Sequence, residues 1–408
     1  MSAARALVPV EEHQARVAAL ISRSPVTELP VADCLGMVLA RAVTASIPLP
    51  PFDNSAMDGY AVRAADLAGA KRDTPVTLPV VEDIPAGRTD VVPLVAGTVH
   101  RIMTGAPMPP GADAIVQVEL TDAGTERVAL FAEVPAGTHV RLAGEDALAG
   151  DVVLAAGTVL GPFQLGLAAA VGTRTLPVYR RPRVLVLSTG SELVEAGQPL
   201  LPGQIYESNG TMLAAAVRAM GGEPELVRFV PDDVDTFHRA LAARLADVDM
   251  VITSGGVSAG AYEVVKDALA GQGVEFYRVA MQPGGPQGAG RYQGVPVVTL
   301  PGNPVSAAIS FEIFVRPALL VAAGHELADR ARPRGTLTAD VQAPAGRRQY
   351  RRGWYSQATG EVGPVGGPGS HLLAALSKAN CLFVVPEEMT ELRAGAEVEV
   401  IPLVNLAG

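Results

Sequence analysis

The chain has 408 residues, of which 49% are hydrophobic and 18% charged, and its formal net charge is −10 at pH 7. That is core material for two to four ordinary globular domains. The acidic balance excludes general nucleic-acid binding, and no apolar run approaches the roughly 18 residues of a membrane span.

The N-terminus, MSAARALVPVEEHQARVAAL, scatters its charges and has no signal-peptide core. Cys34 and Cys381 are too few and too far apart for a metal set or a disulfide framework. Both read as buried, reduced thiols of a cytoplasmic protein. Lysine is confined to Lys71, Lys266 and Lys378, and the other basic residues are arginines.

In chain order, residues 1–50 open with a helical pattern over Val10 to Ser22 and a second short segment near Asp33 to Ala40. Pro48, Pro50 and Pro51 then stiffen a boundary. Residues 51–140 read as short strands between proline and glycine turns, a small β-rich domain. Residues 141–180 are mixed. Segments near Asp151 and Thr158 and a helix from Pro162 to Val171 pair back with the first 50 residues, which makes the β domain an insertion.

Residues 181–325 alternate strand and helix. Val184–Leu187 is followed by a helix over 211–220, which Gly221-Gly222 stops. A strand over 226–230 precedes a helix over 234–246 that opens after two acids. Then come the strand at 248–253, a helix over 261–270, strands over 274–281 and 295–300, and a long helix over 305–322. Regular alternation with apolar strands predicts a parallel, doubly covered α/β sheet. Residues 326–408 return to short strands and glycine turns, a terminal β domain.

Three apolar strands end in small-residue turns: Ser188-Thr189-Gly190, Ser254-Gly255-Gly256-Val257-Ser258 and Pro301-Gly302-Asn303-Pro304. In a parallel sheet such turns gather outside the carboxyl ends of the strands. Glycines let a ligand reach the backbone, and helix N-termini favour an anion. Glu192, Asp232, Asp233, Glu263 and Asp267 fall near the same edge and could hold Mg²⁺ together with substrate phosphates. Taken singly, each is an ordinary cap or surface acid. Lys266, Arg351 and Arg352 offer positive charge, or a solvated surface. Gly256–Gly260 also fits the G-x-S-x-G of serine hydrolases, with Ser258 as nucleophile and His325 or His371 as base. The anion-loop reading explains the same residues. No P-loop and no G-x-G-x-x-G occurs. The string Pro50 to Val62 mixes acids, amide, hydroxyl and tyrosine in a way packing does not require, and it reads as a ligand-facing loop.

PPFDNSAMDGYAVR (50–63), RIMTGAPMPPGADAIV (101–116), STGSEL (188–193), SGGVSAG (254–260) and LPGNPVSA (300–307) together resemble the molybdopterin molybdotransferases, the MoeA and gephyrin E-domain family. The blocks span most of the chain in the family's order.

The resemblance implies an elongated α/β domain (1–50 and 141–180) and an inserted β domain (51–140). It also implies a molybdopterin-binding α/β domain (181–325) and a C-terminal β-barrel (326–408). It implies a homodimer whose active site is shared between subunits, with molybdopterin adenylyltransferase and molybdoenzymes as partners. The implied reaction inserts molybdate into adenylylated molybdopterin with Mg²⁺ and releases AMP. Asp58, Thr104, Glu192, Asp232, Asp233 and Glu263 match catalytic positions, with Glu192, Asp232 and Glu263 on the metal. Ser188, Thr189, Gly190, Ser254, Gly255, Gly256, Ser258, Lys266, Pro301, Gly302, Asn303 and Pro304 would bind substrate. Gln282, Gly285, Pro286, Arg352 and Ser370 would meet molybdate.

Two departures stand out. Glu263 replaces the family's aspartate, and Gln282-Pro283-Gly284-Gly285-Pro286 replaces K-P-G-K-P, which removes both lysines. Arg352, Arg351 or Arg291 would have to supply that charge. Without it, the chain would be a pterin-binding carrier or scaffold that has lost turnover.

Overall fold

The computed structural model describes residues 7–230, 233–257, 263–326 and 330–403. Contacts divide the chain into two compact units. One comprises Met1–Thr27, Gly36–Ala40 and Pro177–Gly408, and the other Glu28–Leu35 and Arg41–Leu176.

The first unit opens with helix α1 (Val10–Leu20). Its α/β body runs β1 (Arg183–Thr189), α2 (Asn209–Ala219), β2 (Glu223–Val230), α3 (Val234–Ala242), β3 (Met250–Ser254) and α4 (Val264–Leu269). It continues with β4 (Val274–Arg278), β5 (Met281–Gln282), β6 (Pro286–Tyr292), β7 (Val295–Leu300) and the helix α5 (Pro304–Ala322). The sheet order is β2-β1-β3-β7-β6-β4.

Alternation along β1 shows why both faces are covered. Val184 and Val186 pack with Leu213 and Val217 of α2 and Val305 and Ile309 of α5. Leu185 and Leu187 point the other way, onto Phe237 and Leu241 of α3 and Val264 and Val265 of α4.

The sheet is mixed rather than wholly parallel. β2, β1, β3 and β7 run parallel, but β6 is antiparallel to both β7 and β4. Only Gln293 and Gly294 separate β6 from β7, with φ of 49° and 87°. A parallel neighbour needs a crossover of a dozen residues, whereas two residues at positive φ close a hairpin. The strand expected over 274–281 also breaks. Its last part, β5, leaves the sheet to pair with Arg348 and Gln349. The helix expected to reach 246 ends at Ala242 and gives way to a short 3₁₀ turn, Leu245–Asp247.

The long helix α5 has a π-helical stretch at Phe311–Val315. By length and composition it could cross a membrane, but it is 67% buried, as a core helix is.

Beyond α5 lie β8 (Arg334–Leu337), β9 (Arg348–Tyr355), β10 (Glu361–Pro364), β11 (Cys381–Val385) and β12 (Glu397–Pro402). They close a five-stranded ring, β9-β10-β8-β12-β11 and back to β9. In β11, Cys381, Phe383 and Val385 fill the barrel interior. Leu382 and Val384 face outward into the core that contains α5. The barrel and the sheet therefore share buried surface. Burial pushes the Cys381 thiol up to about 12, which makes it inert.

In the second unit, strands at 59–62, 76–84, 99–102, 114–117 and 127–130 form one five-stranded sheet. Val152–Leu154 pairs with Val43–Thr44, so the chain does return to its early segment after the β domain.

His13 of α1 is fully buried against the Phe314 ring at 4.3 Å, and its Nδ1 lies 2.8 Å from the Tyr277 hydroxyl. Burial, helped by the charge of Arg16, lowers its pKa to about 3. The unfolded chain takes up this proton near pH 6.5 and the folded chain does not. Stability therefore rises with pH between about 3 and 6.5. We expect His13→Gln to narrow the gap between urea midpoints at pH 5 and pH 7.5. An undiminished gap would remove His13 as its source.

Candidate active-site cleft

β1, β3 and β7 are adjacent and parallel, so their carboxyl ends bring the three turns to one edge. The turns touch. Gly255 N donates to Leu300 O at 3.2 Å, and a Cβ on Gly255 would stand 3.0 Å from Thr189 O. Gly256 adopts φ 64°, and a Cβ there would meet Val265 Cγ2 at 2.9 Å. Glycine at this position lets α4 start hard against the turn.

Around these turns opens a cleft of about 980 Å³. Ser188, Thr189, Gly190, Ser254, Gly255, Gly256, Pro301, Gly302, Asn303 and Pro304 all line it. The N-terminus of α5 lies at its rim, and Val305 N donates to Ser370 O at 3.1 Å. That bond ties the loop Gly369-Ser370-His371 to the same opening.

One short segment holds the three turns together. Asn209 Nδ2 donates to Ser254 Oγ at 2.8 Å and to Gly302 O at 2.6 Å. A carbonyl can only accept, which identifies the amide nitrogen on that side. Glu207 Oε1 accepts from Ser188 Oγ at 3.0 Å and from Gly210 N at 2.5 Å. Glu207 is 6% exposed, and Arg228 Nε stands 3.6 Å from its other oxygen. The polarities follow. The Ser188 hydroxyl donates its hydrogen bond to Glu207, so it offers a ligand only lone pairs. Ser254 accepts a hydrogen bond from Asn209 and keeps its own hydrogen to donate. Glu207 and Asn209 escaped the sequence reading, in which the helix began at 211 and they belonged to a loop. The signal was Glu-Ser-Asn-Gly just ahead of an apolar helical period.

Among the acids, Glu192 and Glu263 line the cleft. A Cβ on Gly190 would lie 2.6 Å from Glu192 Oε2, so that glycine makes room for the carboxylate. Asp233 does not line it. Its carboxylate caps α3 by accepting from Thr236 N at 2.7 Å. Lys266 and Asp267 are exposed on α4, outside the lining. Asp232 and Ser258 lie outside the described residues. His325 follows α5, about 28 Å from the end that meets the cleft at 1.5 Å per residue, which disqualifies it as a base there. His371 does line the cleft.

Gln282, Gly285, Pro286 and Ser370 line the cleft as well. Arg352 does not. It is 5% exposed, and its guanidinium donates to Gly369 O at 3.1 Å and to Gly367 O. Burial lowers its pKa, yet it stays a cation. It therefore shapes the loop that carries Ser370. Arg351 donates to Gln349 Oε1 at 2.9 Å, and Arg291 to Leu20 O and Gly294 O. Arg278 and Arg347, not singled out from the sequence, do line the cleft.

In the second unit, Asp58 and Thr104 meet. Thr104 N and Oγ1 both donate to Asp58 Oδ1, at 2.7 and 2.8 Å. The amide first and the hydroxyl second hold this exposed carboxyl below the usual range. Next to them, a Cβ on Gly59 would lie 2.0 Å from Val116 O, so only glycine lets the loop enter the sheet here.

Two outcomes check this geometry. Asn209→Ala leaves the buried Ser254 hydroxyl without its donor and unties the exposed Gly302 carbonyl, which should cost about 1 kcal/mol by urea denaturation, and Asn209→Asp should cost as much because it cannot donate to Gly302. A loss within error would dissolve the latch. Thr104→Val keeps the amide bond and removes the hydroxyl. The Asp58 midpoint in a carboxyl NMR titration should then move upward, and an unmoved midpoint contradicts the pairing.

Three family models match the chain. They are the MoeA N-terminal region (domain I and II) over residues 8–172, a probable molybdopterin binding domain over 185–321, and the MoeA C-terminal region (domain IV) over 334–403. The chain is 52% identical over 400 residues to molybdopterin molybdenumtransferase 2 of Mycobacterium tuberculosis, covering 96% of this chain and 98% of that one. It is 36% identical over 377 residues to the molybdopterin molybdenumtransferase of Haemophilus influenzae, covering 91% and 92%. A crystal structure of the molybdopterin biosynthesis MoeA protein from Pyrococcus horikoshii superposes with a TM-score of 0.82 at 32% identity, over 98% of this chain and all of that one. With all three regions matched in order, and relatives alike from end to end, the chain belongs to the MoeA family.

Proposed function

We propose that the protein is a transferase of molybdenum cofactor biosynthesis, and that it inserts molybdate into adenylylated molybdopterin and releases AMP. The observation that carries this reading is the meeting of three strand-end turns and two carboxylates in one cleft. About 980 Å³ suits a pterin nucleotide rather than a small metabolite. The turns offer backbone amides and the α5 N-terminus to phosphates. Ser188 accepts from, and Ser254 donates to, polar edges of the pterin.

Mg²⁺ suits the same place. Among the described residues no group of three His, Cys, Asp or Glu could hold a metal alone. Mg²⁺ does not require one, since it is commonly bound by one or two carboxylates plus substrate phosphates. Glu192 and Glu263 would hold it, and the ion would neutralise charge developing on the anhydride. Asp58, kept ionised by Thr104, acts as a fixed negative charge and not as a proton donor near neutral pH.

We infer a homodimer that shares its sites, with Asp58 and Thr104 serving the cleft of the other subunit. Exposed apolar side chains on the second unit support an assembly, among them Phe163 at 86% and Val152 at 61% exposure. We place the reaction in the cytoplasm, where the thiols of Cys34 and Cys381 stay reduced. Molybdopterin adenylyltransferase would supply the substrate and molybdoenzymes would take the product.

Purified protein with adenylylated molybdopterin, molybdate and Mg²⁺ should release AMP, and chelation should stop it. No AMP at any molybdate concentration would sink the transferase reading and leave a pterin-binding carrier. Asp58→Ala and Glu192→Gln should each abolish turnover. Mixed and allowed to exchange subunits, they should recover about a quarter of the wild-type rate, because half the dimers then hold one intact site. No recovery would mean that each subunit works alone.

A further inference from the structure

The cleft is lined mostly by glycine, proline, serine and charged groups. Among the described residues that line it, Tyr206 is the one Phe, Tyr or Trp. We propose that Tyr206 is the stacking platform for a planar nitrogen heterocycle, the nucleobase or the pterin of the bound ligand. This deepens the function proposed above and rests on it.

Three observations carry it. First, the ring is open to a ligand. Tyr206 is 44% exposed and its neighbour Ile205 is 55% exposed, and both line the cleft. Apolar surface left open on the wall of a polar cleft is where the flat face of a ligand is received. Second, the ring is held. Its hydroxyl donates to Gln198 O at 2.9 Å. The residues on either side are clamped by the backbone, Ile205 N donating to Glu192 O at 3.0 Å and Glu207 N to Val194 O at 2.9 Å. These bonds belong to a short parallel pair, Leu193–Val194 with Ile205–Tyr206. A side chain ordered in advance loses little rotamer freedom when a ligand stacks on it. Third, the next residue sets a polarity that suits a heterocycle. Glu207 takes the hydroxyl hydrogen of Ser188, which leaves Ser188 as an acceptor in the same cleft. Adenine and pterin are both flat and both carry an exocyclic amino group. Either offers a face to Tyr206 and a donor to Ser188.

Charge favours the same occupant. Glu192, whose carbonyl holds Ile205, also lines the cleft. A carboxylate there disfavours an anion at Tyr206 and leaves a neutral ring untouched. Trp354, an exposed aromatic of the same unit, stands on β9 outside the cleft lining and does not compete for the role.

The test is equilibrium binding of AMP, and separately of 6-hydroxymethylpterin, to the full-length protein by calorimetry. Circular dichroism and melting without ligand check each variant's fold. Tyr206→Leu keeps apolar bulk and removes the ring. It should weaken at least one of the two ligands on the order of tenfold, the scale of base–aromatic stacking. Tyr206→Phe keeps the ring and removes the bond to Gln198 O, and it should stay within about threefold of wild type. In a Trp354→Phe background, Tyr206→Trp carries the only tryptophan of the chain. Its emission should fall as the same ligand is added. Loss with AMP alone assigns the platform to the nucleobase, loss with hydroxymethylpterin alone to the pterin, and loss with both to either ring. If Tyr206→Leu melts early, Tyr206→Thr replaces it, because a β-branched residue suits a strand. Equal losses in Tyr206→Phe and Tyr206→Leu, unchanged affinity for both ligands in Tyr206→Leu, or no binding of either by wild type at about 10 mM, overturn the proposal. AMP release is measured on the same wild-type sample. Ring-dependent binding without AMP release keeps the platform and sinks the transferase reading. AMP release with ring-independent binding does the reverse.

Discussion

The cleft depends on one amide. Asn209 spends both hydrogens of Nδ2 on oxygens from two different strand ends, Ser254 Oγ and Gly302 O. Two residues earlier, Glu207 takes the hydroxyl of a third strand end, Ser188. Small-residue turns have little to hold them, because glycine loses most entropy on ordering and offers no side chain to pack. A loop of this kind needs polar links to neighbours to keep one shape. Here those links come from the first residues of α2. Gly210 allows the approach, since a Cβ there would lie 2.7 Å from Leu226 Cδ1.

The same network sets hydrogen-bond polarity. Two serines on adjacent strands look alike in sequence, yet one can only accept from a ligand and the other can donate. Electrostatics then adds a second asymmetry, with carboxylates on the side of β1 and β3 and arginines on the side of β4. Polarity and charge therefore change with position along this edge instead of being concentrated in one strong contact. Much of the barrel's part is indirect. Arg352 braces the loop of Ser370 from beneath, and the outward residues of β11 fuse the barrel to the core of α5.

The local chemistry was readable in advance. Apolar runs ending in Ser-Thr-Gly, Ser-Gly-Gly and Pro-Gly-Asn announced strand-end turns, and their placement on one edge followed from the rule for α/β sheets. The family followed from five blocks, which the models and relatives bear out. Helix ends were less legible. α3 stops at Ala242 instead of 246, because periodicity does not mark where a helix loosens into a 3₁₀ turn. The antiparallel β6 was missed although Gln293-Gly294 signals a hairpin, since strong alternation before it suggested another crossover.

What the sequence determined by itself was the set of strands and turns, because periodicity, glycine and proline act through neighbours a few residues away. It also determined that acids would cluster near those turns. Tertiary structure alone decided which of them reach the cleft. Asp233 turned into a cap for its own helix, while Glu207, unnoticed in the sequence, became the buried acid under Ser188. It decided the arginines too. Arg352, Arg351 and Arg291 donate to carbonyl and amide oxygens and do not line the cleft, whereas Arg278 and Arg347 line it. The reason is that a long side chain's partner is set by which elements pack beside it, and no short-range pattern carries that information.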